Sequence, residues 1–165
     1  MDAVHKLAWQ SPYPAALCIY GRDKGEIPIA AQFPLYPMLD SEDTASSADN
    51  HGRVWNTKRN HWGWRHYLGD DYGSDAVSKY ASPARETDYS GLPPCYTFVQ
   101  DGEPFYQETQ DFVEKLQSAG VDAKVDVYHG DLYAFDMLQP GKEQSKLARE
   151  RLCEEFERLI SKQNE

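Results

Sequence analysis

Few side chains in this sequence have the types and spacing that metal ligation or redox chemistry requires. His61 and His66 are five residues apart, so on a helix they point in different directions, and neither belongs to an H-E-x-x-H pattern. Cys18, Cys95 and Cys153 lie far apart and form no C-x-x-C pair. We therefore predict no metal, no cofactor and no disulfide framework. The histidines are expected on a surface or an interface, and the thiols are expected to be reduced.

The charge of the chain argues against nucleic acid as a partner. Twenty-seven acidic residues against 17 basic ones give a formal net charge of -10, and no Lys/Arg-rich stripe is present. No segment approaches the roughly 20 apolar residues that span a bilayer, and the N-terminus lacks the pattern of a secretory signal. The sequence thus predicts no nucleic-acid partner, no membrane span and a cytoplasmic location.

Length and composition predict one domain over residues 1–165. The chain is 40% hydrophobic and 13% aromatic, enough for a sizeable core but not for a second domain. Two polar stretches, 41–53 and 69–80, are rich in small or acidic residues and are predicted loops, the first of them mobile.

The first half of the chain predicts helix, strand and helix. Helix formers around an apolar face indicate a short helix over 14–24. A near-continuous apolar run then predicts a buried strand over 27–36, with prolines marking its end. Aromatic residues among basic ones at 55–68 indicate a helix capped near Asn56 and docked through its aromatic side chains.

The second half continues the alternation. A β-rich run predicts a strand over 95–99, and helical spacing of apolar residues predicts a helix over 105–118. Strict alternation at 121–127 is typical of a half-exposed strand, and an amphipathic pattern at 141–162 predicts a long helix. This order predicts an α/β fold with a parallel sheet of about three strands and right-handed crossovers.

Four ordered blocks carry a resemblance to a known family. They read GRDKGEIPIAAQFPLYPMLD at 21–40, VWNTKRNHWGWRHYLG at 54–69, YASPARETDYSGLPPCYTFVQDGEPF at 80–105, and VYHGDLYAFD at 127–136. Together they resemble the C-terminal part of the hormone-sensitive-lipase-type α/β-hydrolases, bacterial carboxylesterases in particular. The resemblance implies a truncated α/β-hydrolase fold and a family whose catalytic residues follow the order serine, acid, histidine.

The family's nucleophile has no counterpart among these blocks. Its H-G-G-G-type oxyanion motif and its G-x-S-x-G elbow precede the block that begins near Ala15. The residues found there, KLAWQSPYP at 6–14 in a divergent N-terminus over 1–13, contain no glycine. Ser11 lies between Gln10 and Pro12, whereas an elbow needs small neighbours around its strained turn. We expect Ser11 at a helix N-terminus or in a loop.

The resemblance assigns the other two catalytic positions to Glu103 and Tyr133. Glu103 in QDGEP matches the acid of a G-E-L-D-P string, with Asp101 as the alternative acid, and we expect Glu103 to be a solvated loop residue. Tyr133 in HGDLYAFD takes the place of the histidine of a P-G-x-x-H-x-F-D string. A tyrosine, with an ordinary pKa of about 10, cannot accept a serine proton near neutrality. His129 is expected to be a strand-end histidine with ordinary hydrogen bonds, not a substitute base.

Several functions stay open at this level. The isolated chain is predicted to be a catalytically inactive esterase-like protein, a pseudoenzyme. Alternatively, it is a binding module that completes a split esterase whose other chain supplies the N-terminal half, through a strand edge exposed beside 27–36 or 95–99. An active ester hydrolase with a substitute base is the remaining alternative. By resemblance, residues 123–128 and 147–160 are a contact surface for a homodimer.

Overall fold

The computed structural model describes residues 13–25 and 27–161, in which helices flank a small sheet. Ser11 and the 6–12 part of the glycine-free stretch lie outside the described residues. The predicted helices and the last two predicted strands are confirmed; the four-residue α4 was not predicted, because it is too short to show a helical period. In chain order the elements are α1 (Tyr13–Lys24), α2 (Thr57–Leu68), β1 (Cys95–Gln100), α3 (Tyr106–Ser118), β2 (Ala123–Tyr128), α4 (Phe135–Leu138) and α5 (Glu143–Ser161).

The two regular strands are parallel and joined through α3. Their register pairs Cys95 with Ala123 and Gln100 with Tyr128. All residues of β1 are buried, whereas most residues of β2 are only partly buried, as the alternating pattern predicted. The parallel arrangement brings the carboxyl ends of both strands to the same edge of the sheet.

The remaining predicted strand, residues 27–36, which comes first in the chain, is not a regular strand in the structure. It runs beside β1 and makes one isolated parallel bridge, between Gln32 and Cys95. Gln32 N donates to Pro94 O at 2.8 Å and Tyr36 N donates to Phe98 O at 3.0 Å. Between these two bonds lies Pro34, which has no N–H to continue the ladder. The segment therefore covers β1. Of the two places predicted for an exposed strand edge, 27–36 or 95–99, the second is wrong.

Two buried clusters flank β1. One contains side chains of α1 and α3, among them Ile19 and Phe112, and reaches Cys95 on β1. The other contains Tyr96 and Phe98 of β1 together with Leu159 of α5 and Trp64 of α2.

The second helix begins and docks largely as its sequence indicates. Asn56 caps it by accepting a hydrogen bond from Arg59 N at 3.1 Å. Docking through aromatic side chains is confirmed for Trp64, which is 1% exposed and belongs to the core, but not for Trp62, which is 62% exposed. Among the described helices, none combines the length and apolar character needed to cross a membrane.

Candidate functional site

The candidate site lies where the loops that follow β1 and β2 meet. We name residues 101–105 the acid loop and residues 129–134 the Tyr133 loop. Asp101 N donates to Tyr128 O at 2.9 Å, and Gly102 N donates to Gly130 O at 2.7 Å. These bonds fix the two loops side by side at the carboxyl edge of the sheet.

Two glycines permit this close approach. A Cβ on Gly102 would lie 2.7 Å from the carbonyl oxygen of Gly130, which no side chain can tolerate. Gly130 has a φ of 148°, and a Cβ there would lie 2.6 Å from Oε1 of Gln100. That same Oε1 accepts the backbone N–H of Leu132 at 2.8 Å. The Tyr133 loop is thus bonded directly to the end of β1.

Glu103 is fully buried in the acid loop. Its side chain is 0% exposed, so the expectation of a solvated loop acid is wrong. Oε1 accepts the backbone N–H of Gln100 at 2.9 Å, while Oε2 has no partner among the described residues. Burial raises the pKa of Glu103 to about 8, against the lowering effect of the Gln100 hydrogen bond, and the charge of Asp136 adds to the rise. At neutral pH this carboxyl is mostly protonated.

Tyr133, which the sequence resemblance predicts at the position of the family histidine, has a buried aromatic ring. It is 7% exposed, and its ring centroid lies 4.9 Å from that of Tyr36 and 5.5 Å from that of Phe105. The Trp55 ring lies 6.0 Å away. Burial, and then the nearby charges of Glu103 and Asp136, raise the pKa of Tyr133 above its ordinary value. The phenol therefore keeps its proton near neutrality.

A second buried carboxyl belongs to the same cluster. Asp136 is 7% exposed, and its Oδ1 has no partner among the described residues. Burial raises the pKa of Tyr36 well above its ordinary value, with the charge of Asp136 as the next cause. The structure thus brings the predicted Glu103 and Tyr133 together with Tyr36 and Asp136, two carboxyls and two phenols with no imidazole among them.

The alternative acid and the alternative base form a separate, solvent-exposed pair. His129 Nδ1 lies 3.0 Å from Oδ2 of Asp101, and Oδ1 of Asp101 accepts the backbone N–H of Gly130 at 3.0 Å. The His129 side chain is 95% exposed. The hydrogen bond to Asp101 raises the pKa of His129, and the bonds from Gly130 and His129 lower the pKa of Asp101. His129 is confirmed as a strand-end histidine with an ordinary hydrogen bond.

His61 and His66 make their contacts elsewhere. His61 Nε2 lies 2.8 Å from a carboxylate oxygen of Asp43, and His66 stacks on Trp62 with ring centroids 4.1 Å apart. In the part of the chain that the structure describes, no group of three or more His, Cys, Asp or Glu side chains is arranged to hold a metal ion.

The predicted mobile loop is held against the acid loop. Ser46 Oγ donates to Pro104 O at 2.7 Å and accepts the backbone N–H of Gln107 at 2.9 Å. Asn50 Nδ2 donates to Gly102 O at 3.0 Å. A polar composition predicts exposure, but here the polar groups satisfy the backbone of the acid loop.

A further buried acid, not predicted from the sequence, lies on α3. Glu108 of α3 accepts the backbone N–H groups of Leu39 and Asp40 at 3.0 and 2.5 Å. Burial raises its pKa well above the ordinary value despite these two bonds. Its position, three residues after Phe105 and four before Phe112, places it on the buried face of the helix, and that spacing was the available signal.

A protein-family model matches the chain over a range that includes both loops of the candidate site. Residues 14–137 match the model of the alpha/beta hydrolase fold. The chain therefore belongs to the α/β-hydrolase family.

Solved structures narrow the resemblance to bacterial esterases of the hormone-sensitive-lipase type, as the sequence blocks predicted. A bacterial heroin esterase is 30% identical with a TM-score of 0.79, over 84% of this chain and 45% of that protein. Esterase LipW from Mycobacterium marinum is 26% identical with a TM-score of 0.74, over 80% and 41%. An esterase from the bacterial hormone-sensitive lipase family is 27% identical with a TM-score of 0.76, over 88% and 49%.

The chain thus spans less than half the length of each of these three structures. Among curated proteins, none matches the chain at significant similarity.

Proposed function

We propose that this chain is a catalytically inactive member of the esterase-like α/β-hydrolases when it acts alone. The observation that carries the proposal is the buried phenol of Tyr133 at the position that the resemblance gives to the catalytic histidine. Its raised pKa keeps the proton on the oxygen, so it has no basic form near neutral pH. Loss of one triad member costs about 10⁴-fold or more in turnover.

The sequence supports the same proposal at the nucleophile. No G-x-S-x-G string occurs in the 165 residues, because the two glycine pairs with that spacing, 21–25 and 69–73, enclose aspartates. A serine without such a turn lacks the exposed hydroxyl that the family uses.

The test is hydrolysis of a short-chain aryl ester by the purified chain. We expect the rate to equal the buffer rate and to be unchanged in Ser11→Ala and in His129→Ala. Bacterial heroin esterase, assayed in parallel, shows that the assay works. Turnover by the chain that disappears in Ser11→Ala contradicts the proposal, and turnover that disappears in His129→Ala identifies the exposed Asp101 and His129 pair as a substitute base.

A second proposed role is assembly, because apolar side chains are exposed on the second strand and the last helix. On β2 and α5, Val127 is 43%, Leu147 is 44% and Phe156 is 52% exposed. These residues fall within the segments proposed for a homodimer. Light scattering during size-exclusion chromatography tests it: a dimeric mass that Val127→Lys reduces supports the homodimer, and a persistent monomer contradicts it.

We propose a cytoplasmic location for the same protein. Cys18 and Cys95 are buried free thiols and Cys153 is an exposed one, which supports a reducing compartment. Fractionation of the source cells with an antibody to the chain tests this location, and recovery in an oxidising compartment contradicts it.

A further inference from the structure

The acid loop is joined to the Tyr133 loop by backbone hydrogen bonds and by an ion pair, and we name these bonds the loop contact. Gly102 N donates to Gly130 O at 2.7 Å. Asp101 accepts the backbone N–H of Gly130 through Oδ1, and its Oδ2 lies 3.0 Å from Nδ1 of His129. Ionisable side chains thus take part in the bonds that hold the two loops together.

The ion pair of the loop contact is present at low pH. The hydrogen bond to Asp101 raises the pKa of His129, so the pair persists above the ordinary histidine pKa and is lost as the pH rises through the raised one. The His129 side chain is 95% exposed, and exposed pairs contribute little to stability. Asp131 is an exposed acid beside the contact, since a Cβ on Gly102 would lie 3.2 Å from its Cβ. Once His129 is neutral, its charge no longer offsets those of Asp101 and Asp131.

Glu103 gives the loop contact its larger pH dependence. Its side chain is 0% exposed, and Oε2 has no hydrogen-bond partner among the described residues. In the same part of the chain, the titratable groups around it are an acid and two phenols: Asp136 of α4, Tyr133 and Tyr36. An acid repels the ionised carboxylate, and phenols that keep their protons do not neutralise it. Burial raises the pKa of Glu103 to about 8, so above that pH the closed loops enclose a charge that water cannot reach.

The bonds that hold the acid loop from its other side do not titrate. Ser46 Oγ and Asn50 Nδ2 donate to backbone carbonyl groups of the acid loop. These groups are neutral, so they hold the loop in the same way at acidic and alkaline pH. The loss of the His129 charge and the ionisation of Glu103 therefore act in the same direction, and both favour separation of the two loops as the pH rises.

We propose that the acid loop and the Tyr133 loop form a pH-sensitive latch, which is closed while Glu103 is neutral and His129 is charged and opens when Glu103 is ionised and His129 is neutral. Opening breaks the bond between Gly102 and Gly130 and brings Glu103 to water. It also uncovers the ring of Trp55, which packs against a ring of each loop. The latch requires no ester hydrolysis, so its test and the esterase assay fail independently.

The test is amide hydrogen exchange of the unchanged chain, measured by NMR at pH 6 and at pH 9 and expressed relative to an unstructured peptide at the same pH. At pH 6 the amides of Gly102 and Gly130, which donate across the loop contact, should exchange at least tenfold more slowly than the peptide. At pH 9 both should exchange as fast as the peptide. The amide of Tyr96, which donates from β1 to Gln32 O at 3.1 Å, should stay slow at both pH values. Continued protection of the two glycines at pH 9, or loss of the Tyr96 protection together with theirs, overturns the proposal.

Substitutions assign the opening to Glu103. Glu103→Gln keeps a neutral side chain of nearly the same shape, so the amide of Gly102 should stay at least tenfold slower than the peptide at pH 9. Glu114→Gln, at an exposed position on α3, is the matched control and should open as the unchanged chain does. An opening in Glu103→Gln equal to that of the unchanged chain overturns the proposal. If that variant does not fold, the pH series of the unchanged chain still decides the proposal.

Discussion

At the scale of single residues, the chemistry of this site is controlled by burial of acids. Glu103 is 0% exposed and has one oxygen without a partner among the described residues. A carboxyl in that environment is favoured in its neutral form, because its charged form loses the solvation of water.

The first prediction concerns the pH dependence of stability. The pKa of Glu103 is about 8 in the folded chain, against about 4.3 for an ordinary glutamate. Between these values the folded state binds more protons than the unfolded state, so the free energy of unfolding falls as pH rises from about 4 to 8. Glu103→Gln should remove part of this slope and make the variant more stable than the unchanged chain at pH 9, by a few kcal/mol at about 1.4 kcal/mol per pKa unit.

Urea unfolding at a series of pH values measures this effect. Glu114→Gln, at an exposed position on α3, is the matched control and should leave the slope unchanged. A Glu103→Gln variant that is less stable than the unchanged chain at pH 9 would show that the carboxylate is stabilising and ionised.

The second prediction concerns the solvent-exposed pair of Asp101 and His129. The hydrogen bond to Asp101 raises the pKa of His129 above that of an ordinary histidine. The pair therefore stabilises the fold fully at a pH below the ordinary histidine pKa, and this stabilisation is lost as the pH rises through the raised pKa. Asp101→Asn should lower the titration midpoint of His129, as read from its ring proton shifts by NMR. Asp131→Asn, in the neighbouring loop, is the control. An unchanged midpoint in Asp101→Asn would mean that the pair does not form in solution.

The positions of these residues were predictable, but their environments were not. The strings QDGEP and HGDLYAFD marked Glu103 and Tyr133. Their burial depends on rings from distant segments, among them Tyr36 and Trp55, which no local pattern connects to the acid loop. A polar string after a strand predicts a solvated turn, and here that prediction is wrong because the loop 41–50 and the Tyr133 loop cover it.

At the scale of elements, the segment 27–36 shows what hydrophobicity predicts and what it leaves out. Its apolar run predicted the place of a covered segment beside the sheet. The run did not show which residues face β1, and the effect of a proline depends on that register. Pro34 interrupts the backbone hydrogen bonds to β1, and its carbonyl oxygen accepts a hydrogen bond from the hydroxyl of Thr97 instead.

The third prediction concerns the backbone hydrogen bond that Pro34 cannot donate to β1. Pro34→Ala should place an N–H opposite Tyr96 O and extend the single bridge into a regular strand. The new hydrogen bond contributes about 0.5–1.5 kcal/mol, and the freer unfolded chain offsets about 0.4–1 kcal/mol, so stability should change by less than about 1 kcal/mol. Amide exchange at position 34 should nevertheless be slow. Pro28→Ala, near the start of the segment, is the control. Fast exchange at position 34 would contradict the register.

At the scale of the whole molecule, element order and sequence blocks were sufficient to predict the family and the parallel sheet. They did not predict how much apolar surface two regular strands leave exposed, because exposure depends on which faces the helices cover. The chain combines that surface with a net charge of -10. Apolar contact favours association of copies, and like charge opposes it.

The last prediction follows because the repulsion between like-charged copies of the chain depends on ionic strength. Screening lengths fall from about 30 Å at 0.01 M salt to about 3 Å at 1 M, while burial of apolar area does not weaken with added salt. The chain should therefore be monomeric at low salt and associate as NaCl is raised, as measured by sedimentation velocity at fixed protein concentration. Phe156→Lys should suppress the association if it uses β2 and α5, since Phe156 is 52% exposed there. Glu150→Gln, at an exposed position on α5, makes the net charge less negative by one unit, as Phe156→Lys does, and is the control for a change of charge alone. A mass that is independent of salt would mean that charge does not control the assembly of this chain.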